Sequence, residues 1–347
     1  MKKSVLDSYR DNNLYRLHSL KIKVKENCNL RCRMCDHWRY NTETVELPSK
    51  EIMKIVDEAA TLSCRQLTIT GGEPTLRKDL EEIIARARQH NMRVSLLTNG
   101  FAISPARIKS LVASGVSKIT ISIDYPEPEE HDYIRGVLGA YQNSIDFIRK
   151  CVALRNSVCD LYEVSIATCV LRNNLHRLSD MVKLVNELGA DAFSVITIAP
   201  HNEGGKSLAL LPDERSIYQK NVIPQLRRMC REYSIAFRIS GISDIYGLSE
   251  KELSELPCYF AWANAAITTN GDVYSCCDLI NVPGALLGNI KQMRLRDILG
   301  SEQAAKVRSL IKTRTLDICR NCYWENDYNH RVHKMCLNSM EGEQRHG

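Results

Sequence analysis

The chain has 347 residues, 44% hydrophobic and 25% charged, with a formal net charge of +6, which suits one large α/β domain plus a smaller appendage. No dense Lys/Arg block accompanies the mild basicity, so nucleic acid is not an expected partner; no run of about 18 apolar residues offers a membrane span, and the N-terminus MKKSVLDSYRDNN lacks the apolar stretch of a signal peptide. The expectation is a cytoplasmic protein whose fourteen cysteines act as metal ligands, catalytic thiols or buried apolar residues rather than disulfides.

In chain order, short apolar runs alternate with helical patterns from about residue 20 to 200. The runs are Leu20–Val24, Gln66–Thr70, Arg93–Thr98, Lys118–Ile123, Glu163–Val170 and Ala192–Ile198. Between them lie Ser49–Leu62, Lys78–His90, Ser104–Ser114, Ala140–Arg155 and Leu178–Leu188. Six β-α units predict an α/β fold with a parallel sheet and helices outside; six rather than eight predicts a partial barrel. In such sheets chemistry collects at the carboxyl ends of the strands. Past residue 200, His201–Pro212 reads as irregular and Glu214–Ser234 as a helix. Asn270-Gly271 turns a hairpin of Ala265–Thr269 and Val273–Cys276. A last helix, about Leu295–Lys312, leads to a cysteine pair, and the tail beyond Cys336 is polar and loosely held.

Cys28-Asn-Leu-Arg-Cys32-Arg-Met-Cys35 directly follows the first run. Three thiolates within eight residues can wrap one corner of a cubane and leave the fourth iron open; a zinc knuckle completed by His37 is the competing reading. Gly71-Gly72-Glu73-Pro74 follows the second run. Its glycines let backbone approach a ligand closely, and Glu73 can accept a bond from an ammonium group. Thr98-Asn99-Gly100 follows the third run and Ser122-Ile123-Asp124 the fourth.

This ordered set resembles the radical S-adenosylmethionine (SAM) superfamily. The resemblance implies a [4Fe–4S] cluster on Cys28, Cys32 and Cys35 whose open iron chelates SAM, and reductive cleavage to a 5′-deoxyadenosyl radical that abstracts hydrogen. It implies SAM contacts from Gly71, Gly72, Glu73, Pro74, Thr98, Asn99, Ser122 and Asp124. Met34 stands where the family usually has an aromatic residue, and its thioether can pack on adenine.

Cys258, Cys276, Cys319 and Cys322 form a second set. Two ligands from a hairpin and two from a C-x2-C loop can close a four-thiolate site, for an iron–sulfur cluster or for zinc on spacing alone. The set resembles the twitch domain, a shortened SPASM domain, and so implies one fully ligated auxiliary [4Fe–4S] cluster. Cys319, Cys322 and Cys336 also fit the three-cysteine auxiliary site of the molybdenum-cofactor cyclising enzyme, but the hairpin glycine is misplaced for it; the role of Cys336 stays open. The expected division is an N-terminal extension at 1–20, the partial radical SAM barrel at 21–235, the iron–sulfur domain at 236–336 and a flexible tail at 337–347.

Cys169, near the end of the fifth run, and Cys277 can each return hydrogen to a carbon radical. Asp278 and Glu203 are candidate bases, and Arg135, in the segment His131–Gly136, sits near the cofactor or in a plain salt bridge. Cys64, Cys151, Cys159 and Cys230 read as buried residues. Only 27 residues precede Cys28, whereas peptide-modifying relatives carry an extra leader-binding domain, and the single auxiliary cluster resembles the butirosin-pathway aminocyclitol dehydrogenase type. The expectation is therefore dehydrogenation of a small polar metabolite (sugar, aminocyclitol or nucleoside), with the auxiliary cluster as electron acceptor and a low-potential donor such as flavodoxin or ferredoxin. Epimerisation with a Cys hydrogen donor and ribosomal-peptide maturation are the alternatives. A non-catalytic electron carrier is a different class, against which the Glu73 segment argues.

Overall fold

Strand β1 (Ser19–Lys25) shows how the sequence pattern becomes a layer. Leu20, Ile22 and Val24 are at most 1% exposed and enter the core shared with Ile52, Ile55 and Val56 of helix α2 (Ser49–Thr61). Each such side chain contributes about 1.5–3 kcal/mol by leaving water. Lys21, Lys23 and Lys25 alternate with them and lie on the opposite, inner face. An earlier helix, α1 (Val5–Arg10), is closed by a Ser4–Asp7 capping box and packs Tyr9 edge-on against Trp262, 4.8 Å between ring centroids.

The alternation repeats through β2 (Gln66–Gly71), β3 (Arg93–Thr98), β4 (Lys118–Ser122), β5 (Glu163–Val170) and β6 (Ala192–Thr197). These pair in parallel, each with the next, and helices α3 (Leu80–Gln89), α4 (Pro105–Ala113), α5 (Pro128–Arg135), α6 (Ala140–Ser157) and α7 (Leu178–Glu187) intervene. This is the expected α/β partial barrel with a C-terminal auxiliary domain. The computed structural model describes residues 4–39, 46–157, 162–198, 203–240, 255–320, 322 and 328–335. The expectations for Cys159, Cys336 and the tail fall outside them.

Elements also differ from the sequence reading. A seventh strand, β7 (Ala236–Ser240), pairs in parallel with β6. Glu203–Leu208 is a short helix where an irregular stretch was expected. The last helix is two, Leu295–Gly300 and Glu302–Lys312, because Ser301 is extended (ψ 159°) and its side chain accepts from the Ala304 amide as an N-cap.

The hairpin forms as β8 (Asn264–Ile267) and β9 (Asp272–Tyr274), with Gly271 at φ +97° in the turn, and β9 pairs with a short β10 (Gly288–Asn289). β8 lies parallel to β1, Lys21 opposite Ala266, so the C-terminal region extends the barrel sheet. The ten strands run β10-β9-β8-β1-β2-β3-β4-β5-β6-β7. Among the described residues no helix is long and apolar enough to cross a membrane.

Candidate active site and auxiliary metal site

The loop after β1 gathers Cys28, Cys32 and Cys35 in one cluster with Leu30 and Met34. Backbone bonds hold the loop on two sides. Gly72 N–H donates to Lys25 O (2.8 Å) and Glu73 N–H to Asn27 O (2.9 Å); opposite, Arg31 N–H donates to Arg135 O (3.0 Å) and Arg33 N–H to Ile134 O (2.9 Å). Burial raises all three thiols, Cys32 to about 11, so a cation must displace their protons. His37 does not complete a zinc knuckle: its Nε2 faces Lys23 Nζ (3.4 Å) and its Nδ1 faces Glu26 (3.6 Å). Three convergent thiols without a fourth donor among the described residues fit a cubane with an open iron.

Gly71 and Gly72 are packed against the backbone of the cysteine loop. A Cβ on Gly72 would overlap Glu26 O and Asn27 O and sit 2.6 Å from the Asn27 carbonyl carbon; one on Gly71 would overlap Lys25 O. The glycines let β2 close on the cysteine loop. The turn continues through buried Pro74, and Glu73 is 0% exposed. Glu73 Oε1 accepts from Thr75 N–H (2.9 Å), Thr75 Oγ1 (2.7 Å) and Thr98 Oγ1 (2.8 Å), and Oε2 accepts from Asn99 N–H (2.8 Å). Burial raises its pKa against these donors. Asn99 also donates through Nδ2 to Asn29 Oδ1 (2.8 Å) and reaches Cys28 Sγ (3.7 Å). The ends of β2 and β3 thus meet the thiols in one network, in which Glu73 Oε2 accepts one bond.

Ser122 is half-buried at the end of β4. Asp124, expected at the cofactor, is 0% exposed and turned inward: Oδ2 pairs with Arg135 Nη2 (2.8 Å) and Oδ1 accepts from Cys169 N–H (2.9 Å). Arg135 Nη1 stands 3.8 Å from Cys32 Sγ, so one buried guanidinium links Asp124 to the cysteine loop. Arg135→Met is expected to lower stability by about 3–5 kcal/mol, because it strands a buried carboxylate; urea unfolding measures it. Cys169 shares an apolar cluster with Met34, and burial pushes its thiol up to about 12.

Cys258, Cys276, Cys319 and Cys322 all line one largely apolar cavity, with Asp278 at its wall. The local pattern does not mark Arg314 or Asn329, which complete this cavity. Arg314 donates to Leu256 O (2.7 Å) and to Cys319 O (3.3 Å), joining the segments that carry Cys258 and Cys319. Asn329 Oδ1 accepts from Tyr259 N–H (2.7 Å) beside Cys258. Arg314→Met is expected to cost about 1–3 kcal/mol through the stranded carbonyls, seen as a lower urea midpoint. Cys277 does not line the cavity; its Sγ accepts from Lys21 Nζ (3.3 Å). Ligand atoms of Cys276, Cys277 and Asp278 nevertheless lie within 4.8 Å of one another, and burial lifts Asp278 to about 6. Four thiols around one apolar cavity fit an iron–sulfur cluster. Glu203 belongs to neither site: its side chain is 90% exposed and pairs with Lys206 (2.6 Å).

Residues 22–185 match the Radical SAM superfamily, and residues 258–323 match SPASM, an iron–sulfur cluster-binding domain. An AdoMet-dependent heme synthase of Methanosarcina barkeri (strain Fusaro / DSM 804) is 30% identical over 288 residues, 78% of each chain. A PqqA peptide cyclase of Methylocella silvestris is 25% identical over 283 residues, 80% of this chain and 73% of that one. The crystal structure of Streptococcus suis SuiB bound to precursor peptide SuiA superposes with a TM-score of 0.72 over 92% of this chain and 73% of that chain, at 17% identity, a likeness of fold. The expectation of a small-molecule substrate is corrected by these relatives, two of which are named for peptides.

Proposed function

The chain belongs to the radical SAM superfamily, and on that premise we propose that it modifies a peptide by abstracting hydrogen from one of its residues. Its general chemistry is reductive SAM cleavage and radical hydrogen abstraction, with an iron–sulfur SPASM region at the C-terminus. When bound, the cluster and SAM supply a 5′-deoxyadenosyl radical.

In this reading Cys28, Cys32 and Cys35 hold the first cluster. Glu73, fixed by Thr75, Thr98 and Asn99, receives the SAM ammonium, and Met34 lies along the adenine. Cys258, Cys276, Cys319 and Cys322 hold the auxiliary cluster. Cys169 keeps its proton at neutral pH, since burial raises its thiol to about 12, and can return a hydrogen atom. Asp278, with a pKa of about 6, can take a proton near the auxiliary site.

The observation that carries the peptide reading is an open sheet. Among the described residues its strand order ends at β10 and β7 without closing, which leaves a side through which an extended chain can enter, as a closed barrel does not. The peptide names of two relatives agree with it. The test uses anaerobically reconstituted protein with SAM, dithionite and synthetic peptide pools. Formation of 5′-deoxyadenosine with a peptide mass change, or with solvent deuterium at a peptide carbon, is expected. SAM cleavage that leaves every peptide unchanged would refute the reading.

A further inference from the structure

We infer that the substrate segment inside the barrel carries a carboxylate and that Lys23 receives it; this rests on the peptide reading above and names the chemistry of its ligand. The inner face of β1 is a column of three lysines, Lys21, Lys23 and Lys25, successive members about 6–7 Å apart along the strand. The outer two have anionic or thiol partners. Lys25 Nζ pairs with Glu46 (3.1 Å) at the cysteine-loop end, and Lys21 Nζ donates to Cys277 Sγ (3.3 Å) at the auxiliary end.

Lys23 stands between them, half-buried, and donates to His37 Nε2 at 3.4 Å. Among the described residues no carboxylate lies within ion-pair distance of it. The nearest acid, Glu26, is engaged by His37 (3.6 Å) and by Thr269 Oγ1 (2.5 Å). Burial lowers the Lys23 pKa, against the opposing charges of Glu26, Cys277 and Cys35.

The wall around Lys23 is made of donors. Thr70 of β2 is its register partner, and Thr68 is the partner of Lys21. Farther round the same face, Thr120 of β4 is the register partner of Ser165 of β5. The hydroxyls of Thr68, Thr70 and Thr120 make no hydrogen bond among the described residues, and Ser165 Oγ is buried without a partner. An apolar substrate would leave these groups unmatched, at about 1–3 kcal/mol for each buried one. A carboxylate is acceptor-only and takes two to four donors. Held at Lys23 and Thr70, it would anchor a peptide midway between the two cysteine sites, where the carbon to be attacked must lie.

The test incubates reconstituted protein and SAM, without reductant, with three synthetic peptide pools, and mass spectrometry reads the retained peptides. One pool carries Asp/Glu and amidated C-termini, one Asn/Gln and amidated C-termini, and one Asn/Gln and free C-termini. Retention of one carboxylate pool about tenfold above the fully amidated neutral pool is expected, as for one charge-assisted pair; the pool favoured names the source, side chain or C-terminus. Lys23→Met should abolish the preference, and Lys23→Glu should shift it to a Lys/Arg pool, a gain that misfolding cannot produce. Equal retention of all pools, or carboxylate preference persisting in either variant, overturns the inference while the peptide reading stands. Retention of no pool overturns both.

Discussion

Protein with Cys28, Cys32 and Cys35 all replaced by alanine is expected to lose 5′-deoxyadenosine formation by at least about a thousandfold, a barrier increase of about 4 kcal/mol, while keeping about half its iron. The effect is chemical because the loop does not depend on the thiols for its shape. Its path is set by backbone bonds from Gly72, Glu73, Arg31 and Arg33, none of which uses sulfur. Among the described residues His37 does not replace the lost donors: its ring nitrogens face Lys23 and Glu26. The complementary variant, with Cys258, Cys276, Cys319 and Cys322 as alanine, is expected to lose the other half of the iron and still cleave SAM. Iron and sulfide analysis alongside product chromatography separates the two. A triple variant that retained all its iron, or its product, would end the assignment.

Gly72→Ala is expected to be among the most damaging single methyl groups, costing about 3 kcal/mol or more of stability and lowering cluster occupancy. The new Cβ would meet backbone on both sides, Glu26 O and Asn27 O, with the Asn27 carbonyl carbon at 2.6 Å. Neither can rotate away as a side chain would. The strand end must therefore part from the cysteine loop, breaking Gly72 N–H to Lys25 O and Glu73 N–H to Asn27 O together. Gly136 serves the opposite side of the loop, at φ +69° with the Arg31 carbonyl carbon 2.9 Å from a built Cβ, and Gly136→Ala should behave alike. Gly139 is the control: its φ is +81°, but a Cβ there meets only Asn143 Nδ2 at 3.7 Å. Gly139→Ala should show the conformational cost alone, about 1 kcal/mol. Urea midpoints and iron content of the three variants test the ordering; equal losses at Gly72 and Gly139 would refute the close-packing account.

The site was legible in the sequence where its chemistry is written in consecutive residues. Cys28, Cys32 and Cys35 fall on one loop, and Glu73 and Asn99 follow strands whose apolar alternation is plain. What those residues touch was not legible. Asp124 reads as a cofactor contact from its place after β4, yet it faces Arg135 and the Cys169 amide. Glu203 reads as a base from its place after β6, yet its short helix points it into solvent. Arg314 carries no motif, because its partners are carbonyls at Leu256 and Cys319 that any residues would provide. The small-metabolite expectation came from counting residues ahead of Cys28 and from the likeness of a single auxiliary cluster to the aminocyclitol dehydrogenase type, neither of which describes the inside of the barrel.

By itself the sequence determined the local features: alternating strands, amphipathic helices, the Asn270-Gly271 turn, and thiols spaced to share one metal. Each depends on backbone period or on side chains a few residues apart, so neighbours in the chain suffice. Only the tertiary structure decided that β8 lies beside β1, that Gly71 and Gly72 pack on the backbone of the cysteine loop, and that Arg135 links Asp124 to that loop. Those outcomes depend on which surfaces meet across stretches from about 45 residues to more than two hundred. There, long-range burial and the pairing of polar groups select one arrangement from many that local preference permits equally.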